Sequence, residues 1–153
     1  MKAISLWQPW ASLWLSPAKI HETRSWPTKH RGWTLVHAAK RSPDDFQGQD
    51  ELDEVCKRVL GADAPLGPRG ALIGMVNIVD CQRTEAILNG YQEPDDFVCG
   101  DYRPGRYGWR RSDYVIFKKP IPYRGMQMLF SVPESVLPPE AKALIPQREL
   151  FTP

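Results

Sequence analysis

The sequence has little of what builds covalent or metal frameworks. Its 153 residues include three cysteines and three histidines. Cys56, Cys81 and Cys99 are odd in number and far apart, with no C-x-x-C pair, which argues against a zinc ribbon or a disulfide framework. His21, His30 and His37 do not stand at metal-ligand spacings, so no metal and no cofactor is expected. No apolar run approaches membrane-spanning length. The opening "MKAISLWQPW" lacks the apolar stretch and small-residue cleavage site of a secretory signal. Together these absences fit a reduced, cytoplasmic chain with no membrane partner. The motifs G-x-x-x-x-G-K-[ST], G-x-G-x-x-G and G-x-S-x-G are missing too, so the common phosphate cradles and the serine-hydrolase elbow have no carrier.

What is abundant is proline, fifteen residues, and tryptophan, six. Prolines at this density favour short elements joined by fixed turns. Tryptophans beside arginines supply core volume and, where exposed, platforms on which bases stack. The net charge of +2 is uninformative, but its distribution is not. Acidic residues gather at Asp44, Asp45, Asp50, Glu51, Asp53, Glu54 and Asp63, and basic ones at Arg103, Arg106, Arg110, Arg111, Lys118, Lys119 and Arg124. A basic segment of this kind suits either a phosphate-facing surface or a solvated strand face. The acidic segment, roughly residues 44–60, is a candidate surface for a protein partner of unknown identity.

Hydrophobic spacing sets the expected elements. "WQPWASLWLS" reads as a short helix with Trp10, Leu13 and Trp14 on one face, stopped by Pro17. "IHETRSW" reads as extended, with Ile20, Glu22 and Arg24 on one side. "GWTLVHAAK" reads as a strand that puts Trp33, Leu35 and His37 opposite Thr34, Val36 and Ala38. Leu52, Val55, Cys56, Val59 and Leu60 have helical spacing, with Gly61 as the stop. "GALIGMVNIVD", "RYGWRRSDYVIFKKPI" and "MQMLFSVP" read as strands, "RTEAILNG" and "PPEAKALIP" as short helical turns, and "YQEPDDFVCGDY" as a loop. No linker of domain-separating length appears, so residues 1–153 are expected to form one domain. The strands do not alternate with long helices, which disfavours a doubly wound sheet. The expected class is α+β, a small twisted barrel with flanking short helices.

The stretch "AKIHETRSW" concentrates the candidate chemistry. Strict alternation separates Lys19 from Glu22, so the two converge only if Lys19 lies in the turn before the strand. Lys19 then suits a phosphate contact or, desolvated, a general base; otherwise it is a lysine leaving a helix end. Glu22 and Arg24 share a face, as a salt bridge or as a binding pair in which Glu22 accepts from a base amino group and Arg24 holds phosphate or stacks. Trp7, Trp10 and Trp14 divide between core and cleft wall, and Trp26 follows as another stacking candidate. In "RPGRYGWRR", Arg106 and Arg110 interleave with Tyr107 and Trp109, a pattern suited to gripping a single-stranded nucleotide.

Taken in order, "QPWASLW", "AKIHETRSW", "RGWTLVHAA" and "GDYRPGRYGWRRSDYVIFKKPIPYRGMQMLF" resemble the ASCH family, relatives of the PUA domain, over most of residues 3–132. The family's G-x-K-x-x-E-x-R signature falls on Lys19, Glu22 and Arg24, with Pro17 in place of its glycine. Met128 stands where relatives often carry glycine, and Phe130 where they often carry tryptophan. The resemblance implies a PUA-like β-barrel with a cleft between the first helix and the barrel, used for RNA or for nucleoside- or nucleotide-like ligands. It further implies two alternatives: a binding module, or a hydrolase acting as an N4-acetylcytidine-type amidohydrolase through Lys, Thr and Glu, or as a ribonuclease. For the hydrolase the candidates are Lys19, Glu22, Thr23, Glu93 and Asp101. For substrate binding they are Trp10, Arg24, Trp26, Arg106, Tyr107 and Trp109. Glu22 occupies the position where the amidohydrolases carry threonine.

Overall fold

The computed structural model describes residues 1–41, 50–61 and 67–145. Its elements, in order, are β1 (Lys2–Leu6), α1 (Trp10–Trp14), β2 (His21–Arg24), β3 (Gly32–Ala38), α2 (Asp50–Leu60), β4 (Ala71–Arg83), α3 (Thr84–Leu88), α4 (Pro94–Val98), β5 (Tyr107–Pro122), β6 (Leu129–Ser131) and α5 (Pro139–Lys142). One six-stranded sheet runs in the order β2-β5-β4-β3-β1-β6. Only the β1–β3 pair is parallel; its neighbours are antiparallel. The two long strands β4 and β5 slip register after Leu72, Val76 and Ile78, and β3 slips against β4 between Val36 and His37. Each slip adds local twist, so the sheet curls into a half-barrel with short helices around it. Such curling is what a six-stranded, mostly antiparallel surface needs if both of its faces are to find apolar cover.

Strand periodicity sorts the side chains as the sequence pattern requires. Val36 and Ala38 join Ile4, Leu6, Val76 and Trp109 on the face that α1 covers with Ala11, Trp14 and Leu15. Leu35 joins Ala3, Leu72, Met75, Phe117 and Phe130 on the other face, covered from α5 by Ala141. α2 docks through Leu52, Val55 and Cys56 onto Leu13, Ala18 and Cys99, and Gly61 follows it at φ +92°, the left-handed geometry expected of a helix stop. Acidic residues Asp44, Asp45 and Asp63 lie outside the described residues.

Three elements differ from the sequence pattern. β1 is a full partner in the sheet, although its five residues carry too short an alternation to announce a strand. "YQEPDDFVCGDY" holds a helical turn, α4, with Pro94 at its start, because the proline needs no hydrogen-bonded N–H there. β2 shows no polar-out alternation: His21, Glu22 and Thr23 are all buried, since the chain around α4 covers this edge strand.

α1 lies close on the sheet because of Gly74. A Cβ at that position would sit 2.4 Å from the Val115 carbonyl oxygen and 2.6 Å from Leu15 Cδ1. Gly74→Ala is therefore expected to destabilise the protein by about 1–3 kcal/mol through overpacking, read from urea unfolding. Met128 carries the opposite strain. It is the one non-glycine described residue with positive φ, at +59°, and it is 61% exposed, so its side chain contributes little packing. Met128→Gly is expected to raise stability by up to about 1 kcal/mol, measured in the same assay.

Candidate functional site

The site is built on the turn that joins α1 to β2. Ser16 Oγ donates to the Leu13 carbonyl at 2.6 Å and accepts from Ala18 N–H, closing the helix without help from Pro17. β2 starts only at His21, so Lys19 escapes strand alternation and turns back towards Glu22. Its Nζ stands 3.5 Å from Glu22 Oε1 and donates to the Cys99 carbonyl at 2.9 Å. Glu22 Oε2 lies 3.6 Å from Arg24 Nη2, and Oε1 also accepts the Thr23 N–H. The result is a row of cation, carboxylate and cation. Lys19 is 1% exposed, whereas the Arg24 side chain is 26% exposed, so the row runs from the interior outwards.

Arg24 also closes the half-barrel. It leaves the edge strand β2 and donates to the Ser5 carbonyl on β1 at 2.9 Å. That carbonyl lies beyond the last residue of β1 paired with β6, Ile4. Behind it, His37 Nε2–H donates to the Tyr123 carbonyl at 2.7 Å. A carbonyl only accepts, so Nδ1 of the neutral ring takes the Ser5 hydroxyl proton at 2.9 Å. Burial holds the His37 pKa below its usual range, against the smaller opposite pull of the Tyr123 carbonyl. Arg24 Nε is buried with no acceptor among the described residues.

Two buried groups hold the turn in place. From β5, Arg111 donates Nε to the Trp14 carbonyl at 3.0 Å and Nη2 to the carbonyls of Ser16 and Lys19 at 2.5 and 2.8 Å. Its guanidinium also lies 4.8 Å from the Tyr114 ring centre. Burial lowers the Arg111 pKa, against smaller pulls from Tyr114 and Asp96. From α4, Asp96 Oδ1 accepts the N–H groups of Ile20 at 2.5 Å and His21 at 2.9 Å. Its Oδ2 bonds to His21 Nδ1 at 2.9 Å and to the Tyr102 hydroxyl at 2.6 Å, and takes the Tyr91 hydroxyl as well. Burial pushes the Asp96 pKa up, but the hydrogen bonds from His21, Tyr102 and Tyr91 outweigh it and hold the carboxyl well below the usual range. Burial beside this anion raises the Tyr91 and Tyr102 pKa values. Ile87 of α3 and the His21 ring pack this close over β5 because position 108 is glycine: a Cβ there would meet Ile87 Cδ1 at 2.4 Å and His21 Cδ2 at 3.2 Å.

The remaining candidates divide. Thr23 turns to the chain after α4, where its Oγ1 accepts the Asp101 N–H at 2.8 Å. Arg106 donates to the Asp101 and Thr23 carbonyls at 3.1 and 3.2 Å. The Asp101 carboxylate is 2.6 Å from Arg103 Nη2 and 3.4 Å from Arg106 Nε; the Arg103 bond holds its pKa below the ordinary value. Glu93 is exposed at the start of α4, away from these contacts. Trp109 is fully buried. Its indole N–H donates to the Trp26 carbonyl, and the half-buried Trp26 ring meets it edge-on at 4.6 Å. A stacking edge made of Tyr107 and Trp109 is therefore corrected: Trp109 packs in the core cluster with Trp14, Val76 and Ile78. Tyr107 is half-buried beneath Arg83, 5.8 Å from its ring centre. Trp14 is core, Trp10 half-buried and Trp7 54% exposed.

Asp96, Arg111, Tyr91, Tyr102 and the Cys99 carbonyl were not legible as site residues. A helix-starting proline in "EPDDF" was the available signal, but nothing in the spacing says which of two adjacent aspartates turns inward. Among the described residues no group of three or more His, Cys, Asp or Glu side chains is placed to hold a metal ion. Burial pushes the thiols of Cys56 and Cys99 up to about 11 and 12, which removes them as thiolate nucleophiles at neutral pH.

With the barrel, the α1–β2 turn and the Lys19–Glu22–Arg24 row defined, relatives can be compared. The family model of the ASCH domain matches residues 4–134. The chain belongs to the ASCH domain family. Activating signal cointegrator 1 of Homo sapiens is 36% identical over 108 residues, covering 63% of this chain and 18% of that protein. Its Mus musculus counterpart is 35% identical over 106 residues with the same coverage. This ASCH chain thus matches about a fifth of the length of those relatives. A mutant ZmASCH protein from Zymomonas mobilis superposes with a TM-score of 0.52 at 12% identity, over 88% of this chain and 91% of that one. That likeness shows the fold, the curled PUA-like sheet with short helices. No described helix is long and apolar enough to cross a membrane.

The buried carboxylate generates a prediction. Asp96→Ala strands two hydroxyls, a histidine and two backbone N–H groups, so a loss of about 3–5 kcal/mol is expected at pH 7. Because the folded pKa is depressed, this contribution is present above the unfolded carboxyl pKa of about 4 and is lost as pH falls below it. In urea titrations the gap between wild type and variant should narrow from pH 7 to pH 3.

Proposed function

We propose that this ASCH domain binds RNA or a modified nucleoside in a cleft between α1 and the barrel, with Lys19, Glu22 and Arg24 as its polar wall. The observation that carries the reading is the outward end of the row. Arg24 is part-exposed, and a guanidinium that reaches solvent at the end of a cation–carboxylate–cation row suits a phosphate or base oxygen. Glu22, fixed between two cations, offers its carboxylate to an exocyclic amino group of a cytosine- or adenine-like edge. Lys19, held by Glu22 and the Cys99 carbonyl, sets the position of that carboxylate. Exposed Arg110 adds positive potential along the strand that pairs with β2.

The hydrolytic alternative is supported by one feature, the desolvated lysine against a carboxylate. It is weakened by Thr23, whose hydroxyl faces Asp101 rather than the Lys19–Glu22 pair. Amide hydrolysis would then need water activated at Lys19 or Glu22 in place of a threonine nucleophile.

The test is fluorescence anisotropy with a labelled, mixed-sequence single-stranded RNA at low salt, beside ultraviolet-monitored N4-acetylcytidine. Wild type is expected to bind, and Arg24→Ala to weaken binding roughly tenfold or more. Lys19→Met, which keeps the buried volume, serves as the site variant whose fold is checked by circular dichroism. Consumption of N4-acetylcytidine by wild type but not by Lys19→Met would replace the binding reading with the hydrolase. Absence of RNA binding, nucleoside binding and turnover would overturn both.

A further inference from the structure

A groove of about 810 Å³ opens between α2 and the segment that carries α4, apart from the Lys19–Glu22–Arg24 row. Its wall combines two chemistries. Phe97, 51% exposed, and Leu88, 36% exposed, are large apolar side chains left in solvent. Phe97 stacks one ring face on Tyr102, with centroids 5.5 Å apart and an interplanar angle of 18°, and lines the groove. Around this apolar floor stand Glu51 and Glu54 from α2 and Glu93 from the start of α4. The groove's arginine, Arg58, is already engaged: its two terminal nitrogens bond the two carboxylate oxygens of Asp95 at 3.0 and 2.8 Å. That pair clamps α2 to α4 and leaves the three glutamates as the net charge of the wall.

An exposed apolar floor with a rim of one charge marks an interaction site rather than a solvated face. The sign excludes a nucleic-acid backbone, which this wall would repel. The concave shape and the volume suit a few side chains of a peptide rather than the flat face of a globular partner. We propose that the α2–α4 groove docks a basic segment of a partner protein. Lysine or arginine side chains of that segment pair with Glu51, Glu54 and Glu93, and an apolar anchor between them seats against Phe97 and Leu88. The groove adjoins the buried anchor of the β2 turn, since Tyr91 lines the groove and its hydroxyl donates to Asp96.

The experiment is selection of a random peptide display library on the full chain. An enriched peptide is then titrated with a fluorescein label, reading anisotropy against the wild type, Glu54→Lys and Phe97→Ser. Enriched peptides are expected to carry paired basic residues around an apolar one, and each variant to weaken binding roughly tenfold or more. Binding is also expected to fall as salt rises. Glu54 lies on the exposed face of α2, so its variant should keep the wild-type melting temperature and separates lost docking from lost fold. Failure to enrich any peptide, enrichment without basic residues, or binding as tight as wild type by Glu54→Lys and Phe97→Ser would overturn the proposal. So would concentration-dependent self-association that Glu54→Lys abolishes, because it would assign the groove to a second copy of this chain.

Discussion

The Asp96 carboxylate has left water entirely, and that is affordable only because five donors converge on it: two backbone N–H groups at the start of β2, the His21 ring and the hydroxyls of Tyr91 and Tyr102. Three of the donors come from Ile20 and His21, some 75 residues away in sequence, and the two tyrosines flank Asp96 in its own segment. The anion therefore joins α4, the chain that follows it and the first residues of β2 into one unit. With β2 held there, Lys19 is set against Glu22 and the Cys99 carbonyl. The carbonyl belongs to the residue that ends α4, so the same short helix supplies both the anchor and one of the ligands of the lysine.

Arg111 and Arg24 do complementary work on the same turn. Arg111 is a buried fork that gathers carbonyls left over where α1 stops, the groups a short helix cannot satisfy internally. Arg24 joins one edge of the curled sheet to the Ser5 carbonyl on β1 across the mouth of the half-barrel. A lysine in either position would supply charge without the planar fork that reaches several oxygens at once. The consequence is a row whose inner end is buried and hydrogen-bonded and whose outer end is part-exposed.

α4 has two faces with different roles. Its inward residue Asp96 holds the turn, while Phe97 and the carboxylates beside it look into the groove against α2. This division explains how adjacent aspartates in one short sequence end differently, one buried under two tyrosines and one in an exposed pair with Arg58.

Local pattern was enough for much of the architecture. Period-two alternation placed the two faces of β3, helical spacing placed the buried side of α2, and the residues of the ASCH signature marked the turn that became the site. Met128 was legible as an oddity at a glycine position, and its positive φ gives the reason. What sequence could not carry was any fact that depends on two distant segments meeting. The burial of Trp109 follows from its packing with Trp14 and Val76 in the core, the burial of His21 and Thr23 from cover by the chain around α4, and the choice of Asp96 over Asp95 or Glu93 from which way one turn of helix faces. The sequence by itself determined the elements and the candidate chemistry, because periodicity and motif are local. Only the tertiary structure decided which carboxylate is buried, since desolvation depends on what packs around a group and not on its neighbours along the chain.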